Sequence, residues 1–225
     1  MAKLFLLRHA QSQWNLENRF SGWIDVPLSK KGIEDVKKIS KRLGKVKIDA
    51  VYTSPLIRNS ETALELLRLS KRKYPIFRHF DGKMEKWANF KELNKSYIPV
   101  YVSENLNERY YGSLQGCDKK ETIKKYGAKK VQLWRRGFDN DPPGGGEGLD
   151  EVFKRAVPFF KKHIEGDLKK GKNVLVVSSH NALRAIIKYI DNVPKKDVMG
   201  IEMEPGTMIR YDFDKSLKFK NKKAL

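Results

Sequence analysis

A chain of 225 residues can build one substantial core but not several domains. Hydrophobic residues at 40% exclude a disordered chain, no apolar run approaches the roughly 18 residues of a membrane span, and the single Cys117 excludes an internal disulfide. The formal charge of +20 admits an anionic partner, but most of the excess is Lys in pairs such as Lys37-Lys38 and Lys124-Lys125 that solvated helix faces tolerate, so nucleic acid and membrane surfaces are not expected partners.

The apolar stretch before Arg8 is too short for a signal-peptide core, so Lys3 to Leu7 reads as a buried strand of a cytoplasmic protein. Ser29 is an N-cap. Ile33, Val36, Ile39 and Leu43 follow at helical spacing, and Gly44 closes that helix. Asp49 to Ser54 reads as a strand, and Pro55 opens a helix that turns Leu64 and Leu67 inward. The Lys-rich segment 71–97 reads as an insertion whose Phe77, Phe80, Trp87 and Phe90 dock on the body. Val100 to Val102 is a short strand. Asp141 to Gly146 is a loop, and Glu147 to Leu168 is one long helix bent at Pro158. Asn173 to Ser178 is the strongest strand signal, and Met208 to Phe213 the last. Strands alternating with helices, two of them apolar throughout, predict an α/β fold: one three-layer α-β-α sandwich around a mostly parallel central sheet.

Two of only four histidines, His9 and His180, fall just beyond apolar strands, at the edge where open parallel sheets bind ligands. His79 and His163 sit among lysines and read as surface residues. A neutral imidazole can attack phosphorus, and the phosphoryl oxygens then need fixed cations. Arg8, Arg58 and Arg184 are candidates for that grip, because a guanidinium binds phosphate bidentately. Glu108 is the candidate proton donor for the leaving oxygen. No metal-ligand cluster stands out.

Five segments, in order, resemble the cofactor-dependent phosphoglycerate mutase family of the histidine phosphatases. They are Leu7-Arg8-His9-Ala10 with Asn15 and Arg19-Phe20-Ser21-Gly22-Trp23, Tyr52-Thr53-Ser54-Pro55-Leu56-Ile57-Arg58, Leu106-Asn107-Glu108-Arg109-Tyr110-Tyr111-Gly112 with Lys119, Trp134-Arg135-Arg136-Gly137-Phe138, and His180-Asn181-Ala182-Leu183-Arg184. The resemblance implies that His9 carries a phosphoryl group, that Arg8, Arg58 and His180 hold it, and that Glu108 moves protons. It also implies that Asn15, Ser21, Gly22, Tyr111 and Asn181 line the pocket, while Arg109, Lys119, Arg135 and Arg136 grip the substrate's carboxylate and second phosphate. The implied reaction interconverts 3- and 2-phosphoglycerate, primed by 2,3-bisphosphoglycerate and without a metal. The partner would be a small phosphorylated substrate, and a homodimer is compatible with the reading. Two departures stand out. Ala10-Gln11 replaces the family's Gly-Glu, and the last motif lacks a glycine, which predicts a displaced His180 or a lost backbone donor. A short tail after Phe213, in place of a lid, would admit water and favour the alternative, a phosphatase of the same superfamily on small monoesters. A non-catalytic binding protein is the third reading.

Overall fold

The apolar run near the N-terminus and the run from Val174 lie side by side in one seven-stranded sheet. The computed structural model describes residues 1–44, 46–70, 73–88, 94–214 and 216–225. In chain order the elements are β1 (Ala2–Arg8), α1 (Gln13–Leu16), α2 (Lys30–Leu43), β2 (Ala50–Thr53), α3 (Ile57–Ser70), β3 (Tyr74–His79), α4 (Gly82–Trp87), β4 (Tyr97–Val102), α5 (Lys119–Tyr126), α6 (Ala128–Arg136), α7 (Leu149–Phe159), α8 (Glu165–Lys169), β5 (Val174–Ser178), α9 (His180–Ile190), β6 (Met208–Phe213) and β7 (Phe219–Ala224), with short 3-10 and π turns between some of them. The strand order is β3-β4-β2-β5-β1-β6-β7. The pairs from β3 through to β1 are parallel, whereas β6 and β7 run antiparallel.

Side chains alternate across a strand, so each apolar strand serves two cores. Leu4, Leu6, Tyr52, Val174 and Val176 meet Phe159 and Phe160 and the Leu183 and Ile186 side of α9. On the other face Phe5, Leu7, Val51, Leu175 and Val177 meet Val36 and Ile39 of α2 and Ala63 and Leu66 of α3. This is the three-layer arrangement expected. Ser29 caps α2 by accepting from the Gly32 N–H, and Gly44 ends it at φ +61°. Among the described residues no helix is long and apolar enough to cross a membrane.

Several local expectations are corrected. The segment 71–97 is not a plain excursion: β3 pairs along its whole length with β4, so this stretch supplies one edge of the sheet. Phe77 and Phe80 are half-buried, Trp87 is 78% exposed rather than docked, and Phe90 lies outside the described residues. Phe213 is not the end of the sheet, because β7 adds a further strand with every residue exposed. Ile33 points outward at 42% exposure, and α2 buries Gly32 instead, against the Gln11 backbone. The helix read as continuous from Glu147 to Leu168 does run without a gap from Leu149 to Lys169, but it widens to a π turn at Phe160–Ile164. Pro158, inside α7, has no N–H to donate to the carbonyl four residues back, and the π turn begins two residues after it. His163 is no plain surface residue: it packs against Phe80 and Phe159, with ring centroids 4.4 and 4.8 Å away.

Leu6 is fully buried at the sheet centre. Leu6→Ala is expected to lower the unfolding free energy by about 2–5 kcal/mol, read from urea denaturation.

Candidate active site

The pairing of β1 with β5 sets Arg8 opposite Ser178, so both strands end at the same level. The next residue, His9, donates its N–H to the Ser178 carbonyl at 3.0 Å and is buried. Its ring Nδ1 lies 2.7 Å from the Ala10 carbonyl. A carbonyl only accepts, so Nδ1 carries the hydrogen and Nε2 keeps its lone pair. Ala10 is held in turn: its N–H donates to Thr62 Oγ1 (3.1 Å), which donates to the Arg58 carbonyl (2.7 Å). Burial, and then the charges of Arg58 and Arg8, push the His9 imidazolium well below its ordinary range. His9 is therefore neutral, in one fixed tautomer, with a free lone pair on Nε2.

A cavity of about 300 Å³ opens over it. Arg58, at the start of α3, donates to the Gly22 carbonyl at 2.7 Å and the Ile24 carbonyl at 3.0 Å. Gly22 sits at φ +53°, where a side chain is strained, and a Cβ there would displace the Gln115 carboxamide that accepts from the Trp23 N–H. Arg8 donates to the Met203 carbonyl at 2.6 Å. Arg8 Nε, Ser21 Oγ and His180 Nε2 are buried without a hydrogen-bond partner among the described residues. Lys119 opens α5, while Arg135 and Arg136 end α6, and all three face the same cavity. Burial first, and then Arg135, lower the Lys119 ammonium to about 8. Asn15, Tyr111 and Asn181 also line the cavity. No three His, Cys, Asp or Glu side chains among the described residues are placed to hold a metal ion.

Glu108 lies across the cavity. Its Oε1 accepts from the Arg109 N–H (2.7 Å), the Asn181 amide (2.7 Å) and the Asn181 N–H (3.2 Å). Burial pushes this carboxyl up, but His180, the Arg109 N–H, Asn181 and Arg58 together outweigh it and hold it below the usual range. Glu108 is thus ionised and acts only as a hydrogen-bond acceptor here. Its backbone is pinned: its carbonyl accepts from Trp23 Nε1 (2.7 Å) and Arg155 Nη2 (2.9 Å). His180 begins α9, and its side chain lines the cavity despite the missing glycine. Arg136 Nη1 is 3.0 Å from His180 Nδ1; guanidinium only donates, so Nε2 bears the hydrogen. Burial lowers the His180 imidazolium to about 4, although Glu202, 3.3 Å from Nε2 and too poorly aligned for a hydrogen bond, raises it.

Residues 4–221 match the histidine phosphatase superfamily, branch 1. A 2,3-bisphosphoglycerate-dependent phosphoglycerate mutase of Protochlamydia amoebophila is 42% identical over 218 residues, covering 95% of this chain and 96% of that one. A protein of the same name from Methanococcus vannielii is 40% identical over 230 residues, covering 100% and 97%. The chain belongs to the 2,3-bisphosphoglycerate-dependent phosphoglycerate mutase family. Solved structures share the fold at lower identity. Bacillus stearothermophilus YhfR superposes with a TM-score of 0.74 at 24% identity, covering 98% of this chain and 95% of that one. The α-ribazole phosphatase of Shigella flexneri gives 0.70 at 22% identity, covering 96% and 92%.

In this member of the mutase family, thirteen of the fifteen residues singled out from the sequence line the cavity, and Arg109 and Arg184 do not. Arg109 is fully buried, and its guanidinium donates to the carbonyls of Trp134 and Gly137 at the end of α6. It holds the helix end that carries Arg135 and Arg136 rather than gripping a ligand itself. Arg184 is likewise no phosphate ligand here: it donates to Asn181 Oδ1 and to the carbonyls of Arg136 and Val198. The structure adds Gln11, Arg19, Phe20, Glu204 and Pro205 to the lining. It also adds Arg155, whose guanidinium binds the carbonyls of Asn105, Asn107 and Glu108 while pairing with Glu147. A guanidinium in a helix sequence carries no mark of where it reaches, and Glu204-Pro205 belongs to no quoted motif.

Arg109→Ala removes two charge-assisted hydrogen bonds. It is expected to cost about 2–4 kcal/mol of stability in urea and to raise KM through a looser α6 end. His180 sets a pH dependence as well. Above about pH 6.5 it is neutral folded and unfolded alike; between about 6.5 and 4 only the unfolded chain binds the proton. Stability should therefore fall as pH drops from 6.5 toward 4, by at most about 1.4 kcal/mol per pH unit from this group. Urea titrations across that range check the slope, and the His180 imidazole NMR signal should stay unprotonated down to pH 5.

Proposed function

We propose that this chain interconverts 3-phosphoglycerate and 2-phosphoglycerate through a phosphoryl group carried on His9 Nε2. The observation that carries the reading is a buried, neutral His9 of fixed tautomer beneath a cavity with more cations than one phosphoryl group needs. Arg8, Arg58 and His180 surround His9, and Lys119, Arg135 and Arg136 supply positive charge for a second anionic group. The names of the full-length relatives support the same reaction.

With the phosphoryl group on His9, ionised Glu108 accepts the proton of the incoming substrate hydroxyl. The hydroxyl oxygen bonds to phosphorus, the N–P bond breaks, and its electron pair returns to Nε2. In the return step Nε2 attacks the other phosphate, and Glu108 gives its proton to the departing oxygen. Isomer leaves, and His9 is phosphorylated again. 2,3-Bisphosphoglycerate, when bound, supplies the phosphoryl group that primes His9. The orphaned Arg8 Nε and Ser21 Oγ, together with the six cationic side chains of the lining, suit so small a polyanion. The guanidiniums take the transition-state charge without reorganising, because their other N–H groups are already fixed on carbonyls. Such a reaction belongs to the cytoplasm, where phosphoglycerates turn over.

The test follows 3-phosphoglycerate with and without 2,3-bisphosphoglycerate, reading 2-phosphoglycerate and free phosphate together. Isomer should appear with the bisphosphate, and His9→Ala should lower its rate by at least about 10³-fold. Free phosphate in place of isomer would make the protein a phosphatase.

A further inference from the structure

One carboxylate at the cavity rim is used by none of these steps. Glu202 lies on the segment 201–207 that leads into β6, and its side chain is 46% exposed. Its Oε1 is 2.7 Å from Arg136 Nε, and its Oε2 is 3.3 Å from His180 Nε2. Arg136 closes the triangle, with Nη1 3.0 Å from His180 Nδ1. A guanidinium grips an oxyanion bidentately along one of two edges, Nε with Nη2 or Nη1 with Nη2. Glu202 is ion-paired against Nε on the first edge, and His180 accepts from Nη1 on the second. Arg136 therefore has no free fork, although it lies among the cations that face the cavity.

We infer that Glu202 is an exchangeable counter-anion of Arg136, displaced by the second anionic group of the substrate, and so a specificity determinant of the reaction. The inference rests on the proposed phosphoglycerate reaction for the identity of that group. The exchange has a physical rationale. Glu202 is half exposed, so its release to water costs little. Arg136 keeps a partner whenever the ligand lets go, so a bound bisphosphate can turn over within the site without leaving an unpaired guanidinium behind. A neighbouring carboxylate, Glu204, also lines the cavity but shares no hydrogen bond or ion pair with Arg136 among the described residues, which makes it a control for charge alone.

The experiment measures the Kd of 3-phosphoglycerate by calorimetry for the wild type, Glu202→Gln and Glu204→Gln, with kcat and KM for isomer formation alongside. Glu202→Gln should bind 3-phosphoglycerate about three- to tenfold more tightly than the wild type and more tightly than Glu204→Gln. KM should fall with it, and Glu202→Asp should lie between wild type and Gln. An unchanged or weakened Kd would overturn the inference and leave Glu202 as a support for Arg136. Equal tightening in both glutamine variants would overturn it too, since net charge would then explain the effect. Isomer formation by the wild type with an unmoved Kd in Glu202→Gln sinks the exchange alone. A tightened Kd without any isomer sinks the functional reading alone. If no form binds 3-phosphoglycerate, both fall.

Discussion

The parallel register between β1 and β5 is the constraint on which the site depends. Five paired positions, from Leu4 with Val174 to Arg8 with Ser178, bring two chain segments about 170 residues apart to one level. His9 then leaves the sheet still bonded to the Ser178 carbonyl, and α9 starts two residues beyond that strand end. A slip of one residue would turn Phe5 and Leu7 into the core of Leu4 and Leu6 and point His9 away from His180. Catalytic geometry is thus guarded by hydrophobic burial on both faces of the sheet, which is far costlier to break than any hydrogen bond in the site.

The main chain, not carboxylates, keeps much of the positive charge near the site out of water. Arg58, Arg109 and Arg184 are almost wholly buried, yet none has a carboxylate within ion-pair distance among the described residues. Main-chain carbonyls solvate them instead: Gly22 and Ile24 for Arg58, Trp134 and Gly137 for Arg109, Arg136 and Val198 for Arg184. A carbonyl dipole offsets part of the desolvation without cancelling the charge, so the field over His9 stays positive. Each guanidinium also ties the segment that carries it to one distant in sequence, which makes the arginines a frame as well as a source of charge. Paired with carboxylates, the same arginines would frame the site equally well but offer an anionic ligand little.

Much of this was legible in the sequence for a simple reason: the central strands are buried on both faces and read as unbroken apolar runs, and the site residues lie at their ends. Ser29 and Gly44 declare the ends of α2 through capping chemistry alone. The edge strands were not legible. β7 is exposed at every position, so it has no alternation to read, and β3 is only half-buried and follows lysines. Arg109 and Arg184 could not be told from Arg8 and Arg58, because a guanidinium has the same letter whether it meets a carbonyl or a phosphate. Glu202 and Arg155 left no local trace at all; their roles arise from loops that meet only in the folded chain.

The two borders of the sheet have a consequence for solubility. An unpaired strand border is a template on which another molecule can grow a β-ladder. β7 presents Lys220, Lys222 and Lys223 along its length, and a second copy of the same border would bring the same ammonium groups face to face. At the opposite border β3 carries Pro75, which has no N–H to offer a ladder. Part of the lysine excess that looked like mere surface decoration therefore guards against fibre-like association, at a protein charge where the chains already repel one another.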